Sequence, residues 1–91
     1  MGVDSNDPDE LLRDLGRRVA ELRAARGLTQ QQFAEELEVA VRYLQGIEAG
    51  HENLSVRSLS KLADALEVEV RELFNEPMDR SVRKGRPPKA D

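Results

Sequence analysis

Apolar residues recur at intervals of three and four through most of the chain, which is the spacing of one buried helix face. The first run follows Asp7, a suitable N-cap, and ends at Gly27. Two shorter apolar-faced segments follow at residues 29–37 and 41–50, and Gly50 is a natural stop for the second of them. The pattern predicts three helices in the first half of the chain.

Capping residues define the remaining helices. Thr29, with Gln32 three residues later, forms a capping box for the second helix, and Ser55 is suited to cap a fourth. No strand-like alternation of useful length is present. A short fifth helix is predicted near the end, with the apolar residues Val70, Leu73 and Phe74. We therefore predict an all-α, compact five-helix domain.

Only three residues separate the second helix from the third, so the two helices must cross at a steep angle. A tight helix-turn-helix of this kind holds its second helix outward, and the DNA major groove is wide enough to admit such a helix. The spacing alone thus points to nucleic acid as a partner.

Charge is distributed unevenly along the chain. The net charge is −4; residues 1–10 carry four acids and no base, and residues 75–91 carry five bases against three acids. We predict an acidic flexible leader at 1–6, a domain at 7–76 and a flexible basic tail at 77–91. Residues 11–74 hold nine bases against eleven acids, so general attraction to phosphate must be modest.

Other classes of protein find little support in the composition. There is no cysteine and a single histidine, His51, so neither a disulfide nor a metal site is expected, and no cofactor is predicted. The carboxylates are dispersed without an activated nucleophile, which argues against an enzyme. No apolar run approaches membrane-spanning length and the amino terminus is unlike a signal peptide, so we expect a cytoplasmic protein without a membrane partner.

Several short motifs follow one another in a recognisable order: Leu15-Gly16-Arg17-Arg18-Val19, Leu22-Arg23, Gly27-Leu28-Thr29-Gln30, Phe33-Ala34, Ile47-Glu48-Ala49-Gly50 and Leu62-Ala63-Asp64-Ala65-Leu66. Over about residues 15–74 these motifs resemble the XRE helix-turn-helix family, the Cro and lambda-repressor-like proteins. The resemblance implies a lambda-repressor-like fold and a DNA-binding transcription regulator, such as a repressor, that acts as a homodimer.

The same resemblance implies which residues meet double-stranded DNA. The helix beginning near residue 40 enters the major groove, and its early residues read base edges. Arg42 is the main candidate, because a guanidinium donates two hydrogen bonds to guanine and discriminates by about 1–3 kcal/mol; the alternative is a merely solvated arginine. The candidates on this helix are Val41, Arg42, Tyr43, Gln45 and Gly46.

Further positions are implied to hold the phosphate backbone or the fold. Gln30 begins the second helix, where unpaired N–H groups favour an anion, and Gln31 and Asn53 are lesser candidates or ordinary polar surface. In the family, Arg23 and Glu48 form a partly buried ion pair that ties the first helix to the third.

Two positions in the turn depart from the family pattern. Glu38 stands where glycine is usual, and a left-handed backbone there would cost about 1–2 kcal/mol. Ala40 stands where a serine or threonine N-cap is usual, which loses about 1 kcal/mol.

The tail resembles an AT-hook around Gly85-Arg86-Pro87, with Arg86 entering a narrow minor groove. Lys84 stands where that motif prefers arginine. The competing interpretation is a basic tail that attracts phosphate without specificity.

Two alternatives stay open at this level. Val70, Leu73, Phe74 and Met78 either form the homodimer contact or close the core, with core closure favoured for Leu73 and Phe74. The chain is either a sequence-specific DNA-binding regulator or a protein-interaction module that kept the fold, lost DNA binding and has a protein partner.

Overall fold

Four α-helices and one short 3₁₀ segment make up the computed structural model, which describes residues 6–78. The elements are α1 (Pro8–Ala25), α2 (Gln30–Leu37), α3 (Val41–Ala49), α4 (Val56–Leu66) and the 3₁₀ segment Val70–Phe74. The all-helical prediction is confirmed, since the described residues contain no strand. Apart from residues 6, 77 and 78, the predicted leader (1–6) and the predicted tail (77–91) lie outside the described residues.

The prediction of a fifth α-helix is wrong. Over Val70–Phe74 the amide of Glu72 donates to the carbonyl of Glu69 at 2.9 Å, and Asn75 donates to Glu72 at 3.3 Å. These i to i+3 bonds define a 3₁₀ segment. Its five residues are too few for a stable α-helix, and the tighter turn closes its hydrogen bonds within a shorter stretch.

The predicted N-caps are confirmed. The Asp7 carboxylate accepts a hydrogen bond from the Asp9 amide at 3.1 Å, and Ser55 Oγ accepts from the Ser58 amide at 3.0 Å. Thr29 and Gln32 form the reciprocal capping box, at 3.0 Å in one direction and 2.9 Å in the other. These side chains satisfy amides that a helix start would otherwise leave unpaired.

Helices α2 and α4 end in the same strained backbone conformation. Each ends in Leu-Glu-Val, with the glutamate left-handed: Glu38 has φ 61° and Glu67 has φ 62°. The amide of the next valine folds back onto the helix, Val39 to the Ala34 carbonyl and Val68 to the Ala63 carbonyl, both at 3.0 Å. The expected left-handed Glu38 is confirmed. The turn before α3 therefore carries strain that a glycine would avoid.

The core lies where all five elements converge. Four side chains are completely or almost completely enclosed, one each from α1, α2, α3 and the 3₁₀ segment: Val19, Phe33, Leu44 and Leu73. Leu73 thus closes the core, as expected, whereas Phe74 does not: it is 57% exposed. In the 3₁₀ segment adjacent residues point in different directions, so only one of the pair can face inward.

A glycine on α1 allows α3 to approach closely. A Cβ at Gly16 would overlap the carbonyl oxygen of Ile47 and lie 2.7 Å from that of Glu48. The obstacle is backbone at the end of α3, which cannot move aside by changing a rotamer. Gly16 therefore sets the distance between α1 and α3.

An ion pair joins the same two helices. Arg23 Nε lies 2.7 Å from Glu48 Oε2, and Arg23 Nη2 donates to Glu48 Oε1 at 3.1 Å. The third Arg23 bond, from Nη1 to the Leu28 carbonyl at 2.8 Å, anchors the loop before α2. The Glu48 side chain is only 7% exposed. The ion pair implied by the family resemblance is therefore present, with the bidentate geometry that gives arginine–carboxylate pairs their directionality.

The two glycines at 16 and 46 provide a test of the helix spacing. We expect Gly16→Ala to lower the free energy of unfolding by about 1–3 kcal/mol, because the methyl meets backbone. The matched Gly46→Ala should have a neutral or slightly stabilising effect, since alanine favours a helix and its methyl meets only the flexible Glu52 side chain. Urea denaturation measures both; equal effects would contradict this account.

Removing one partner of the ion pair tests its structural role. We expect Glu48→Ala to lower the free energy of unfolding by about 3 kcal/mol, because it leaves the partly buried Arg23 charge uncompensated. Glu36→Ala is the control: it breaks a surface pair with Arg26, 3.2 Å long, and should cost at most about 1 kcal/mol. Similar small losses for both variants would show that the Arg23–Glu48 pair is dispensable.

Candidate nucleic-acid interface

The third helix is held by one face and presents the other. Leu44 and Ile47 on α3 are buried, at 0% and 3% exposure, and anchor the helix against the core. Ala40 occupies the N-cap without a side-chain hydrogen bond, as expected from its lack of an oxygen. Residues 42, 45 and 46 lie on the opposite side of the helix from these anchors and therefore face away from the core.

The outward positions include the predicted reading residue. Arg42 and Gln45 are exposed, whereas Val41, Tyr43 and Gly46 are half-buried. Within residues 6–78 Arg42 forms no salt bridge, so its guanidinium donors are free to meet another molecule. The guanidinium is neither packed in the core nor paired with a carboxylate of the described chain.

A chain of hydrogen bonds runs from the buried ion pair to this surface. Gln30 Nε2 donates to Glu48 Oε1 at 2.8 Å, and Gln45 Nε2 donates to Gln30 Oε1 at 3.4 Å. Together with Arg23 these residues link α1, α2 and α3. The Glu48 carboxylate, which pairs with Arg23 and so joins α1 to α3, therefore also orients Gln30 on α2 and, through it, Gln45 on α3.

Gln30 keeps some capacity for an external partner. Its amide nitrogen carries two hydrogens, and one of them is used by Glu48. The residue lies half-buried at the first position of α2, and Gln31 beside it is exposed. Asn53, in the loop after α3, is also exposed. The three predicted phosphate contacts thus lie at the surface.

Tyr43 has a second environment besides the outward face. It lines a half-open groove of about 240 Å³ between the end of α2, α3 and α4. The groove is mainly apolar, with Lys61 and Ser58 at its polar side. Its lining residues are Leu37, Val39, Tyr43, Ile47, Ser58, Lys61 and Leu62.

Two residues shape this surface through contacts that the sequence pattern did not predict. Gly16 is one, since it fixes how close α3 lies to α1. Glu52 is the other: its carboxylate folds back over Gly46, with Oε2 only 2.8 Å from where a Cβ would stand. Gly46, in the middle of the short helix α3, indicates that another group packs closely against the helix there. The sequence does not indicate that this group is the Glu52 side chain.

Features of other site classes are absent from the described part of the chain. No group of three or more histidine, cysteine, aspartate or glutamate side chains within residues 6–78 is placed to hold a metal ion. His51 lies exposed in the loop after α3. Over the same residues no helix is both long enough and apolar enough to cross a membrane. Arg86, predicted to enter the minor groove, lies outside the described residues.

Solved structures similar to this chain are regulators. The restriction–modification controller protein C.AhdI from Aeromonas hydrophila is 43% identical, with a TM-score of 0.66 over 69% of this chain and 96% of that one. The master regulator for biofilm formation SinR, solved in complex with DNA, is 32% identical, with a TM-score of 0.62 over 67% of this chain and 98% of that one.

A third similarity is to a chain of the SinR–SinI protein complex. It is 31% identical, with a TM-score of 0.63 over 77% of this chain and 72% of that one. No curated protein matches the chain significantly. The family model for helix-turn-helix proteins, HTH_3, matches residues 19–73, which is more than half of the chain. The resemblance drawn from the sequence motifs is confirmed: this chain belongs to the XRE-type HTH_3 family of helix-turn-helix proteins.

Proposed function

We propose that the protein is a sequence-specific DNA-binding transcription regulator that places α3 in the major groove and acts as a homodimer. The observation that carries the proposal is the outward face of α3, where Arg42 is exposed and unpaired while Leu44 and Ile47 anchor the opposite side. Arg42 donates two hydrogen bonds to a guanine. Val41, Tyr43, Gln45 and Gly46 complete the surface that faces the bases.

The start of α2 is the proposed phosphate clamp. Thr29 caps the Gln32 amide, which leaves the amides of Gln30 and Gln31 available to a phosphate oxygen. The second Nε2 hydrogen of Gln30 is proposed to bind the same phosphate, and Asn53 is proposed to contribute from the loop after α3. Arg86 is proposed to reach the adjacent minor groove from the tail.

The acidic charge balance determines how such a protein would bind. Because acids outnumber bases in the chain, counterion release contributes less than it does for a basic protein. Discrimination must come from directed contacts on a rigid surface. We therefore expect weak affinity for random duplexes and a marked preference for selected ones.

The reading role of Arg42 is tested by selecting bound sequences from random duplexes. We expect the wild type to enrich a guanine that Arg42→Ala no longer enriches, with a loss of discrimination at that position of about 5- to 150-fold. Arg57→Ala, which removes an exposed arginine from α4, is the control and should leave the sequence preference unchanged.

The same selection, repeated at several salt concentrations, separates the leading proposal from its alternative. A protein-interaction module would show no salt-sensitive binding to any duplex. That alternative draws support from the Glu52 carboxylate over α3 and from the similarity to a chain of the SinR–SinI complex. Retained guanine preference in Arg42→Ala would refute the assignment of the reading residue.

Homodimerisation is proposed through the end of the domain that carries the 3₁₀ segment. Phe74 is 57% exposed and lines a small cleft with Leu11, which is 46% exposed. Met78 is 85% exposed, whereas Leu73 is fully buried and cannot reach a partner. Two copies related by a two-fold axis would present their α3 helices to successive major grooves about 34 Å apart.

The dimer contact is tested by replacing one exposed apolar side chain at a time. We expect Phe74→Ser to weaken self-association by about tenfold or more, because it removes most of a phenylalanine's buried apolar area. Val56→Ser is the control, since Val56 is 77% exposed on α4 and outside this contact. Sedimentation equilibrium measures both variants. A monomeric wild type, or equal weakening by both substitutions, would exclude this contact.

A further inference from the structure

A carboxylate lies against the outward face of the proposed reading helix. Glu52, in the loop after α3, is half-buried and covers Gly46. A Cβ at position 46 would stand 2.8 Å from Glu52 Oε2 and 3.0 Å from its Cγ. The glutamate side chain thus occupies the surface that a larger residue at position 46 would have covered.

Position 46 is one helical turn beyond Arg42, so the two lie on the same side of α3. Glu52 and Arg42 do not pair with each other, and neither forms a salt bridge elsewhere within residues 6–78. The surface therefore presents one free donor group and, about one turn away, one free acceptor group. An ion pair between them would have removed both from use.

The chemistry of a carboxylate limits what it can meet in a major groove. An ionised glutamate has only acceptor atoms, so it is repelled by phosphate and by bases whose exposed edge consists of acceptors. Cytosine presents its N4 amino group there as a donor, and glutamate is suited to accept from it. Adenine presents its N6 amino donor beside the N7 acceptor, and this combination suits an amide, which can both donate and accept, better than a carboxylate.

We propose that Glu52 is a specificity-determining residue that accepts a hydrogen bond from the N4 amino group of a cytosine in the operator. The inference rests on the proposed function and extends it to a second base. One helical turn rises about 5.4 Å and successive base pairs are about 3.4 Å apart. The cytosine therefore lies within two base pairs of the guanine that Arg42 contacts.

The experiment compares sequences selected from random duplexes by the full chain, by Glu52→Gln and by Glu52→Ala. We expect the wild type to enrich a cytosine near the Arg42 guanine. Glu52→Gln should lower that cytosine preference by about tenfold or more and move it toward adenine, and Glu52→Ala should lose it without gaining adenine. Both variants should keep the guanine preference.

Glu67→Gln is the matched control, because it removes one exposed acid at the end of α4 and leaves the charge of the loop after α3 unchanged. If Glu52→Gln keeps the cytosine preference and only tightens binding to every duplex, Glu52 acts by repulsion and the inference is overturned. If cytosine is enriched nowhere near the guanine, it is also overturned. A wild type that enriches no sequence at all would instead overturn the proposed function.

Discussion

The contact between α1 and α3 is the constraint on which the rest of the structure depends. Gly16 brings the two backbones together, and the Arg23–Glu48 pair, about two helical turns farther along α1, fixes their relative position. A side chain at position 16 would push α3 outward, and loss of Glu48 would leave a charge without compensation. The orientation of α3, and with it the aim of Arg42, follows from these two contacts.

The ion pair also connects the interior to the candidate interface. Glu48 accepts from Gln30, and Gln30 accepts from Gln45, so an exposed amide on α3 is positioned through a largely buried carboxylate. Side chains that are already ordered lose less conformational entropy on binding. This matters in a chain whose acidic balance offers little general attraction to DNA.

Local signals in the sequence predicted local features well. Asp7, Thr29 and Ser55 are caps because their side chains reach amides only two or three residues away. The form of the 3₁₀ segment and the exposure of Phe74 depend on what packs beside them, and periodicity does not encode this. The Arg23–Glu48 pair came from family resemblance alone, since its partners are 25 residues apart. The approach of Glu52 to Gly46 depends on a loop path that no sequence pattern specifies.

The most direct measurement is a backbone NMR titration of the full chain with a duplex that it selects from a random pool. If α3 is the element that meets DNA, the largest amide shifts will lie at the start of α3 and the start of α2, around Arg42 and Gln30. Shifts centred instead on Leu11 and Phe74, with α3 unaffected, would contradict the account.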